Sequence, residues 1–421
     1  MTKRIIVAGG GTGGHLFPGI AVVEELRRRV GVDVLFVGTQ RGIESRVLPA
    51  RGERLETLEI SPLKGRSTSE LVRSLGRIPG AMARAASLVR GHRAELVLGV
   101  GGYAAGPVLA AAAAMGTSTA LLEQNARVGL TNRMLAPIVG RAYLTFDETA
   151  RLFGARARVV GNPVRREFAL ASRRAATDPV GFESRADTIL VMGGSQGAKA
   201  LNEVVPSALG AMDLHGHRVV HQTGEAMREA VAARYRELGI DAEVVSFIDD
   251  MATVYARAAV VIARAGATTL AELCAIGRPA VLVPYPYAAD DHQYVNAKAL
   301  ESKGAAICVR ESELSVHALV EKLETLLSDP NRRRAMAEAA RALGKPDAAA
   351  SIVDDLCTWL GWTSASVSGG GIVDEGEPDD EDEDEGKRSL RGGGYAPVLR
   401  AASYRPRRRL VFDGAFSWSD A

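Results

Sequence analysis

Short apolar runs alternate with amphipathic stretches along most of the chain. The runs have the length of β-strands and lie at residues 32–37, 96–100, 119–122, 142–145, 218–222, 243–247, 260–263 and 280–283. They are apolar on both faces, as parallel strands inside a sheet are. Helical patterns of roughly ten to fifteen residues separate them. This alternation predicts an α/β protein built on parallel sheets.

The two halves of the chain open with the same pattern. Residues 3–15 read KRIIVAGGGTGGH and residues 187–198 read DTILVMGGSQGA, so each joins an aliphatic run to a glycine cluster and a helix-forming stretch. A strand, a tight turn and a helix in this order open a Rossmann-like domain. We therefore predict two doubly wound domains, at residues 1–162 and 163–360, joined near GNPVRR. The last helix of the second domain could return to the first.

Residues 361–421 have a different composition. They contain a Ser/Gly-rich stretch, seven consecutive acids at 379–385 and a basic patch at 405–409. Such a sequence buries too little apolar surface to fold, so we predict a disordered tail. The formal charge of the whole chain is +2, so the acidic excess of this tail leaves the remainder mildly basic. A basic body suits an anionic ligand or surface.

The chain lacks the sequence signals of export and membrane insertion. No apolar run reaches the roughly eighteen residues that a bilayer-spanning helix requires, and no secretory signal precedes the first strand. The three cysteines, Cys274, Cys308 and Cys357, lie far apart and fit neither a disulfide framework nor a zinc site. We therefore expect a cytoplasmic protein.

The first glycine turn has the spacing Gly9-x-Gly11-x-x-Gly14, which also occurs in dinucleotide sites. The second strand ends VGTQ and lacks the acid that would bind an NAD ribose, so the spacing alone does not indicate a dinucleotide. The turn does offer backbone N–H groups at a helix N-terminus, which can stabilise an anion. His15 follows it directly and could act as a general base, although a structural role for this histidine is equally open.

The second half carries further candidates for a nucleotide-sugar site. The cluster GGSQG, with Ser195, can surround a phosphate, and the small residues Ala267, Thr268 and Thr269 would let a pyrophosphate approach a helix N-terminus. Glu272 is placed to accept hydrogen bonds from ribose hydroxyls, or it is simply an acid that complements the helix dipole.

The loop at residues 284–297 offers polar side chains for sugar hydroxyls, among them His292 and Gln293. Asp290 and Asp291 are adjacent there, but two acids alone are weak evidence for a metal. No metal site and no cofactor are predicted.

Seven motifs, in this order, resemble the MurG-type enzymes of glycosyltransferase family 28, which have the GT-B fold. They are GGGTGGHLFPGIA at 9–21, GGYAAGP at 101–107, EQNARVGLTNR at 123–133, GNPVR at 161–165, GGSQGA at 193–198, RAGATTLAE at 264–272 and HQYVNA at 292–297. The resemblance covers roughly residues 3–360. It implies two Rossmann-like domains facing across a cleft. The chain departs from the family at Ala105, where a serine is usual.

The resemblance also implies which residues bind UDP-GlcNAc. Donor contacts carry over to Thr12, Gly13, Gly14, Asn125, Arg165, Ser195, Ile248, Ala267, Thr268, Thr269, Glu272, His292 and Gln293. Ile248 would offer backbone groups to the uracil rather than its side chain. His292 stands where many relatives have glutamine, so its own contact is less defined.

The implied reaction is inverting transfer of GlcNAc to the 4-hydroxyl of MurNAc in lipid I, giving lipid II for peptidoglycan synthesis. His15 would be the catalytic base. The partners would be UDP-GlcNAc, lipid I and the anionic cytoplasmic face of the inner membrane, where the enzyme would be peripheral, with no nucleic acid. Residues 63–93 form a basic amphipathic stretch that could contact lipid or pack on the sheet, and both readings stay open.

Three other functions fit parts of the pattern. A diacylglycerol glycosyltransferase would share the fold and the donor site but use a different acceptor. A UDP-GlcNAc 2-epimerase would share the fold and the nucleotide sugar but needs catalytic carboxylates. A non-enzymatic nucleotide-binding module would leave His15 and the EQN motif without a role.

Overall fold

The computed structural model describes residues 2–60, 78–194 and 197–363. These residues form two parallel sheets, one in each half of the chain. The strands of the first sheet are β1 (Lys3–Gly9), β2 (Val32–Gly38), β3 (Leu55–Thr57), β4 (Leu96–Gly101), β5 (Ser118–Glu123), β6 (Arg141–Leu144) and β7 (Ala157–Val159). Those of the second are β8 (Thr188–Met192), β9 (Arg218–Gln222), β10 (Ala242–Val245), β11 (Ala258–Ala263), β12 (Ala280–Leu282) and β13 (Ile307–Cys308).

Both sheets are doubly wound, because the chain starts in the middle and proceeds first to one edge and then to the other. The strand orders are β3-β2-β1-β4-β5-β6-β7 and β10-β9-β8-β11-β12-β13. This topology confirms the predicted fold class. Side chains alternate between the two faces of a strand, so Ile5 and Val7 of β1 face one apolar core and Ile6 and Ala8 face another. Each sheet is thus covered by helices on both faces.

The α-helices follow the strands in regular alternation. They are α1 (Gly13–Arg29), α2 (Glu44–Ala50), α3 (Ile78–His92), α4 (Ala105–Ala114), α5 (Leu130–Leu135), α6 (Ala150–Phe153), α7 (Arg166–Thr177), α8 (Pro179–Ser184), α9 (Lys199–Gly210), α10 (Arg228–Glu237), α11 (Met251–Arg257), α12 (Ala267–Ile276), α13 (His292–Glu301), α14 (Val316–Leu327), α15 (Pro330–Leu343) and α16 (Ala348–Leu360).

The structure differs from the sequence predictions mainly at element ends. The strand expected at 243–247 ends at Val245, and Phe247 beyond it is 54% exposed. The edge strands β3, β7 and β13 were not predicted, because they are two or three residues long and not fully buried. The first helix begins at Gly13, inside the glycine cluster, since packing overrides the helix-breaking tendency of its glycines and proline.

The last helix, α16, packs on α1 in the first half of the molecule. Its side chains Ile352, Val353 and Leu356 are fully buried in the same apolar core as Leu26. Asp355 accepts hydrogen bonds from Arg141, Tyr143 and Arg158 of the first half. The domain boundaries at 162 and 360 remain predictions. Of the predicted tail, residues 361–421, the structure describes only 361–363, and Trp362 among them is buried in the first core.

The basic stretch at 63–93 is described only from residue 78 onward. Its helix α3 packs on α4, with Ala85 and Val89 fully buried in the core. In this portion the apolar stripe therefore faces the protein, which was one of the two readings of the sequence. None of the described helices combines the length and the apolar composition that spanning a bilayer requires.

Candidate active site

The glycine turns of the two halves lie at the carboxyl ends of β1 and β8, central strands of their sheets. In open α/β sheets ligands bind at this edge, where the strand order reverses. Helix α1 follows the first turn, and α12 follows β11, the neighbour of β8. The starts of these two helices meet, since the hydroxyl of Thr268 donates to the carbonyl of Gly14 at 3.3 Å.

The two helix N-termini suit a negatively charged ligand. The N-cap residues, Thr12 for α1 and Gly266 for α12, make no side-chain hydrogen bond to the first turn, and neither first turn contains an acid. Uncapped N–H groups and the helix dipole both favour anions. The charge at the junction of the halves therefore favours an anionic group such as a diphosphate.

The first turn requires glycine because of its backbone conformation and its neighbours. Gly9, Gly10 and Gly11 have φ values of +133°, +134° and +88°. A Cβ on Gly9 would lie 2.1 Å from the carbonyl oxygen of Gly101, which accepts a hydrogen bond from the Gly10 N–H at 3.1 Å. The turn is thereby fixed against the end of β4.

A buried acid that the sequence analysis missed holds the other side of this turn. Glu44 is fully buried, and its carboxylate accepts hydrogen bonds from the Gly11 N–H at 2.6 Å and from the N–H and hydroxyl of Thr39, both at 2.8 Å. We call the space around this carboxylate the socket of Glu44. Gly38 and Gly42 line it, since a Cβ on either would come within 2.5 Å of the Glu44 side chain. In the sequence Glu44 reads as an ordinary acid at a helix start, so no local signal identified it.

His15 lies over Gly101, where a Cβ would come 2.4 Å from the imidazole Cδ2. Its Nδ1 is 3.0 Å from the hydroxyl of Thr12. Burial, together with the charge of His292, lowers the pKa of His15 to about 4, and the negative charge of Glu44 opposes this. The imidazole is therefore neutral at pH 7. It can accept a proton at Nε2 in the tautomer whose Nδ1–H donates to Thr12.

The 123–133 loop is organised by a second buried acid, Glu123. Its carboxylate accepts hydrogen bonds from the backbone N–H of Asn125 and Gly129 and from the side-chain amides of Asn125 and Asn132, at 2.9 to 3.3 Å. Burial raises the pKa of Glu123, and these four donors oppose the rise. Asn125 is thus held in a defined orientation at the edge of the first sheet.

Arg165 and Glu272 form a pair in the second half. Arg165 Nη2 lies 3.2 Å from a carboxylate oxygen of Glu272 and Nη1 lies 3.1 Å from the exposed Glu167. Burial raises the pKa of Glu272 to about 7, although the charge of Arg165 opposes this. Glu272 is the sixth residue of α12 and lies beyond the first turn, so the helix dipole alone does not explain why an acid occupies this position.

The loop before α13 has a strained backbone. Asp290 and Asp291 are consecutive non-glycine residues with φ values of +56° and +53°. Such strain is often found at binding sites. The loop is tied to α13 because the side-chain oxygen of Gln293 accepts from the Tyr285 N–H at 3.0 Å, and Nδ1 of His292 lies 2.7 Å from the Ala289 carbonyl.

The structure brings most of the predicted site residues into three groups. The first group lies where α1 and α12 begin and comprises Thr12, Gly13, Gly14, His15, Ala267, Thr268 and Thr269. In the second group, Asn125 lies beside α13, which carries His292 and Gln293. In the third group, Arg165 pairs with Glu272.

Two predicted residues stand apart from these groups. Ile248 packs its side chain in the core of the second half and is 8% exposed. Ser195 lies outside the described residues. Within residues 2–60, 78–194 and 197–363, no three or more His, Cys, Asp or Glu side chains are grouped to hold a metal ion.

Two doubly wound sheets, with glycine turns and helix N-termini at the edges where they meet, define a protein of the GT-B fold. The family model for the glycosyltransferase family 28 N-terminal domain matches residues 5–144, and that for the C-terminal domain matches residues 188–352. The chain therefore belongs to glycosyltransferase family 28.

Individual relatives agree with this assignment. A protein of Sorangium cellulosum is 48% identical over 84% of this chain and 87% of its own length, and it is named UDP-N-acetylglucosamine–N-acetylmuramyl-(pentapeptide) pyrophosphoryl-undecaprenol N-acetylglucosamine transferase. The crystal structure of Acinetobacter baumannii MurG superposes with a TM-score of 0.69 at 31% identity, covering 85% of this chain and 99% of that one.

One of the alternative functions also has structural neighbours. A UDP-GlcNAc 2-epimerase from Neisseria meningitidis, bound to UDP-GlcNAc, superposes with a TM-score of 0.58, covering 85% of this chain and 100% of that one. Its sequence identity is 14%, so this likeness shows the fold alone.

Proposed function

We propose that this protein transfers N-acetylglucosamine from UDP-GlcNAc to the 4-hydroxyl of MurNAc in lipid I, giving lipid II. The observation that carries the proposal is the placement of His15, a neutral imidazole beside two uncapped helix N-termini. The name of the Sorangium relative, at 48% identity, supports the two substrates.

The reaction is an inverting displacement at the anomeric carbon. Nε2 of His15 takes the proton of the MurNAc 4-hydroxyl as its oxygen attacks the face opposite UDP. The bond from the anomeric carbon to the diphosphate breaks, and its electrons leave with UDP. The N-termini of α1 and α12 stabilise the charge that develops on the diphosphate.

The donor binds mainly to the second half. Glu272, held by Arg165, accepts hydrogen bonds from the ribose hydroxyls, and the backbone of Ile248 binds the uracil. Gln293 and His292 contact the sugar. Asn125, in the 123–133 loop, contacts the donor sugar, and the loop positions the acceptor hydroxyl relative to it.

The acceptor is anchored in a lipid bilayer, so the enzyme works at a membrane surface. We place it on the cytoplasmic face of the inner membrane as a peripheral protein, where lipid II synthesis serves cell-wall growth, cell shape and division. Anionic lipid would attract the mildly basic body of the chain.

The test is transfer by the purified full-length chain from UDP-GlcNAc to a short-chain lipid I analogue, with EDTA present. Formation of a β-1,4-linked disaccharide and UDP is the expected result. Turnover with diacylglycerol but not with lipid I would identify a glycolipid-forming enzyme. Isomerisation of UDP-GlcNAc in the absence of any acceptor would identify an epimerase.

The role of His15 is tested with His15→Ala, using the exposed His215→Ala as the control. Loss of a general base should lower kcat by roughly 10²–10⁴-fold, while the control keeps wild-type kcat. Because the pKa of His15 is about 4, wild-type kcat should stay level as the pH falls from 8 to 6. If His15→Ala kept the wild-type kcat, His15 would not be the general base.

A further inference from the structure

Asn296 lies where the two halves of the molecule meet and is fully buried. Its side-chain oxygen accepts a hydrogen bond from the Ala126 N–H at 2.9 Å, and its Nδ2 donates to the side-chain oxygen of Asn125 at 3.2 Å. Both partners belong to the 123–133 loop of the first half, whereas Asn296 belongs to α13 of the second. This residue has no role in the proposed transfer step.

The direction of these hydrogen bonds is fixed from the loop side. Both carboxylate oxygens of Glu123 already accept backbone N–H groups, from Asn125 and from Gly129, so the Nδ2 of Asn125 faces Glu123 and the Asn125 oxygen faces Asn296. A donor is therefore required at residue 296 toward Asn125, and an acceptor is required toward Ala126. An amide supplies both groups, whereas a carboxylate of the same shape supplies only acceptors.

The position of Asn296 on α13 links this contact to the donor side. Gln293 and His292 precede it by three and four residues, so the three side chains lie on neighbouring positions of one helical face. Gln293 is in turn bonded to the Tyr285 N–H of the strained loop. A polar chain thus runs from Glu123 through Asn125 and Asn296 to the helix that carries the sugar contacts.

Separation of the halves would break both hydrogen bonds of Asn296 together. Its amide would then have to be rehydrated or left unpaired, which makes the contact close to all-or-none. A ligand that holds α13 in place would accordingly favour the position of the 123–133 loop seen here.

We propose that Asn296 is a positioning residue that couples occupancy of the donor side to the placement of the 123–133 loop for the acceptor. This inference rests on the proposed function for the assignment of donor and acceptor sides. Donor-side occupancy and loop placement are coupled through one amide, so we expect the coupling to be lost when that amide is removed.

The test is hydrogen–deuterium exchange of the full-length protein with and without UDP, in the wild type, Asn296→Ala and Asn296→Asp. The control is Lys298→Ala, which removes an exposed side chain paired with Glu301 on the same helix. In the wild type and the control, UDP should slow exchange in α12, in α13 and in the 123–133 loop, by roughly fivefold or more in the loop. In both Asn296 variants α12 and α13 should remain protected by UDP, while the loop gains no protection.

Kinetics give a second readout that a merely structural role would not reproduce. Asn296→Ala should lower kcat/KM for the acceptor on the order of tenfold, with the donor KM changed less than about threefold. Asn296→Asp should be at least as impaired, because it places a second acceptor opposite Asn125. Loop protection by UDP that persists in Asn296→Ala, or that is absent in the wild type while α12 is protected, would overturn the coupling. Absence of UDP protection anywhere in the wild type would overturn the proposed function as well.

Discussion

At the residue scale, three buried acids shape the candidate site, and each is stabilised in a different way. Glu44 is held by one backbone turn and by Thr39, Glu123 by four N–H donors of its own loop, and Glu272 by Arg165. Burial of a carboxylate costs several kcal/mol unless hydrogen bonds or a cation compensate. Two of these acids therefore fix loop backbones, and the third is left with a pKa near neutrality.

The raised pKa of Glu272, about 7, predicts a pH-dependent donor affinity. Above pH 7 the carboxylate is ionised and would accept the proposed hydrogen bonds from the ribose, and below pH 7 it becomes protonated. The donor KM should therefore rise about tenfold between pH 8 and pH 6, which initial-rate measurements at saturating acceptor would detect.

Glu272→Gln should make the donor KM high and independent of pH over this range. Glu167→Gln is the matched control, because Glu167 contacts the same arginine but is exposed. A donor KM that rises equally steeply in Glu272→Gln would show that another group titrates.

At the element scale, the glycine turns are determined by packing as much as by backbone conformation. The first turn lies between the end of β4 and the socket of Glu44, and three glycines make room for that carboxylate: Gly10, Gly38 and Gly42. The conformation of the turn that precedes His15 thus depends on α2, an element with no predicted part in the chemistry.

Gly42→Ala tests this dependence. The new Cβ would lie 2.1 Å from a Glu44 carboxylate oxygen, so the carboxylate must shift away from its three donors. We expect a loss of about 1–3 kcal/mol in the free energy of unfolding, measured by urea denaturation, together with a lower kcat.

Gly80→Ala is the matched control, because that glycine lies in α3 with open space around its Cβ position. It should be neutral or stabilise the protein by up to about 1 kcal/mol. Equal stability of the two variants would show that the Glu44 carboxylate does not require glycine at residue 42.

At the scale of the whole molecule, the chain crosses between its halves twice. After the second sheet, α16 returns to pack on α1, and its fully buried Ile352, Val353 and Leu356 complete the first core. Asp355 adds hydrogen bonds to Arg141, Tyr143 and Arg158. The two ends of the described chain therefore stabilise the same half.

This arrangement predicts the effect of truncation. A chain ending at residue 347 lacks α16, and each of its three fully buried side chains contributes about 1.5–3 kcal/mol. That loss is comparable with the whole stability of a domain, so this chain should be insoluble or melt far below the full-length protein. Thermal melting followed by circular dichroism measures the difference.

A chain ending at residue 363 is the control, because it keeps α16 and the buried Trp362. It should keep the melting temperature and the transfer activity of the full-length protein. A wild-type melting temperature for the chain ending at residue 347 would show that α16 is dispensable.

The sequence by itself determined the fold class and most of the strands, because the alternation of short apolar runs and helical patterns is a local signal. It also determined the two glycine turns and, through seven ordered motifs, the family. It could not identify the short edge strands β3, β7 and β13, whose residues are not fully buried and carry little periodicity.

Only the tertiary structure decided how distant segments act on one another. The socket of Glu44, the link from Asn296 to the 123–133 loop and the return of α16 each join residues far apart in the chain. The pKa values of His15 and Glu272 depend on burial and on charges brought near by folding, because a low-dielectric environment and a neighbouring charge are properties of position in space. The residue types were readable from the sequence, whereas their protonation states and their partners were set by the packing of the two halves.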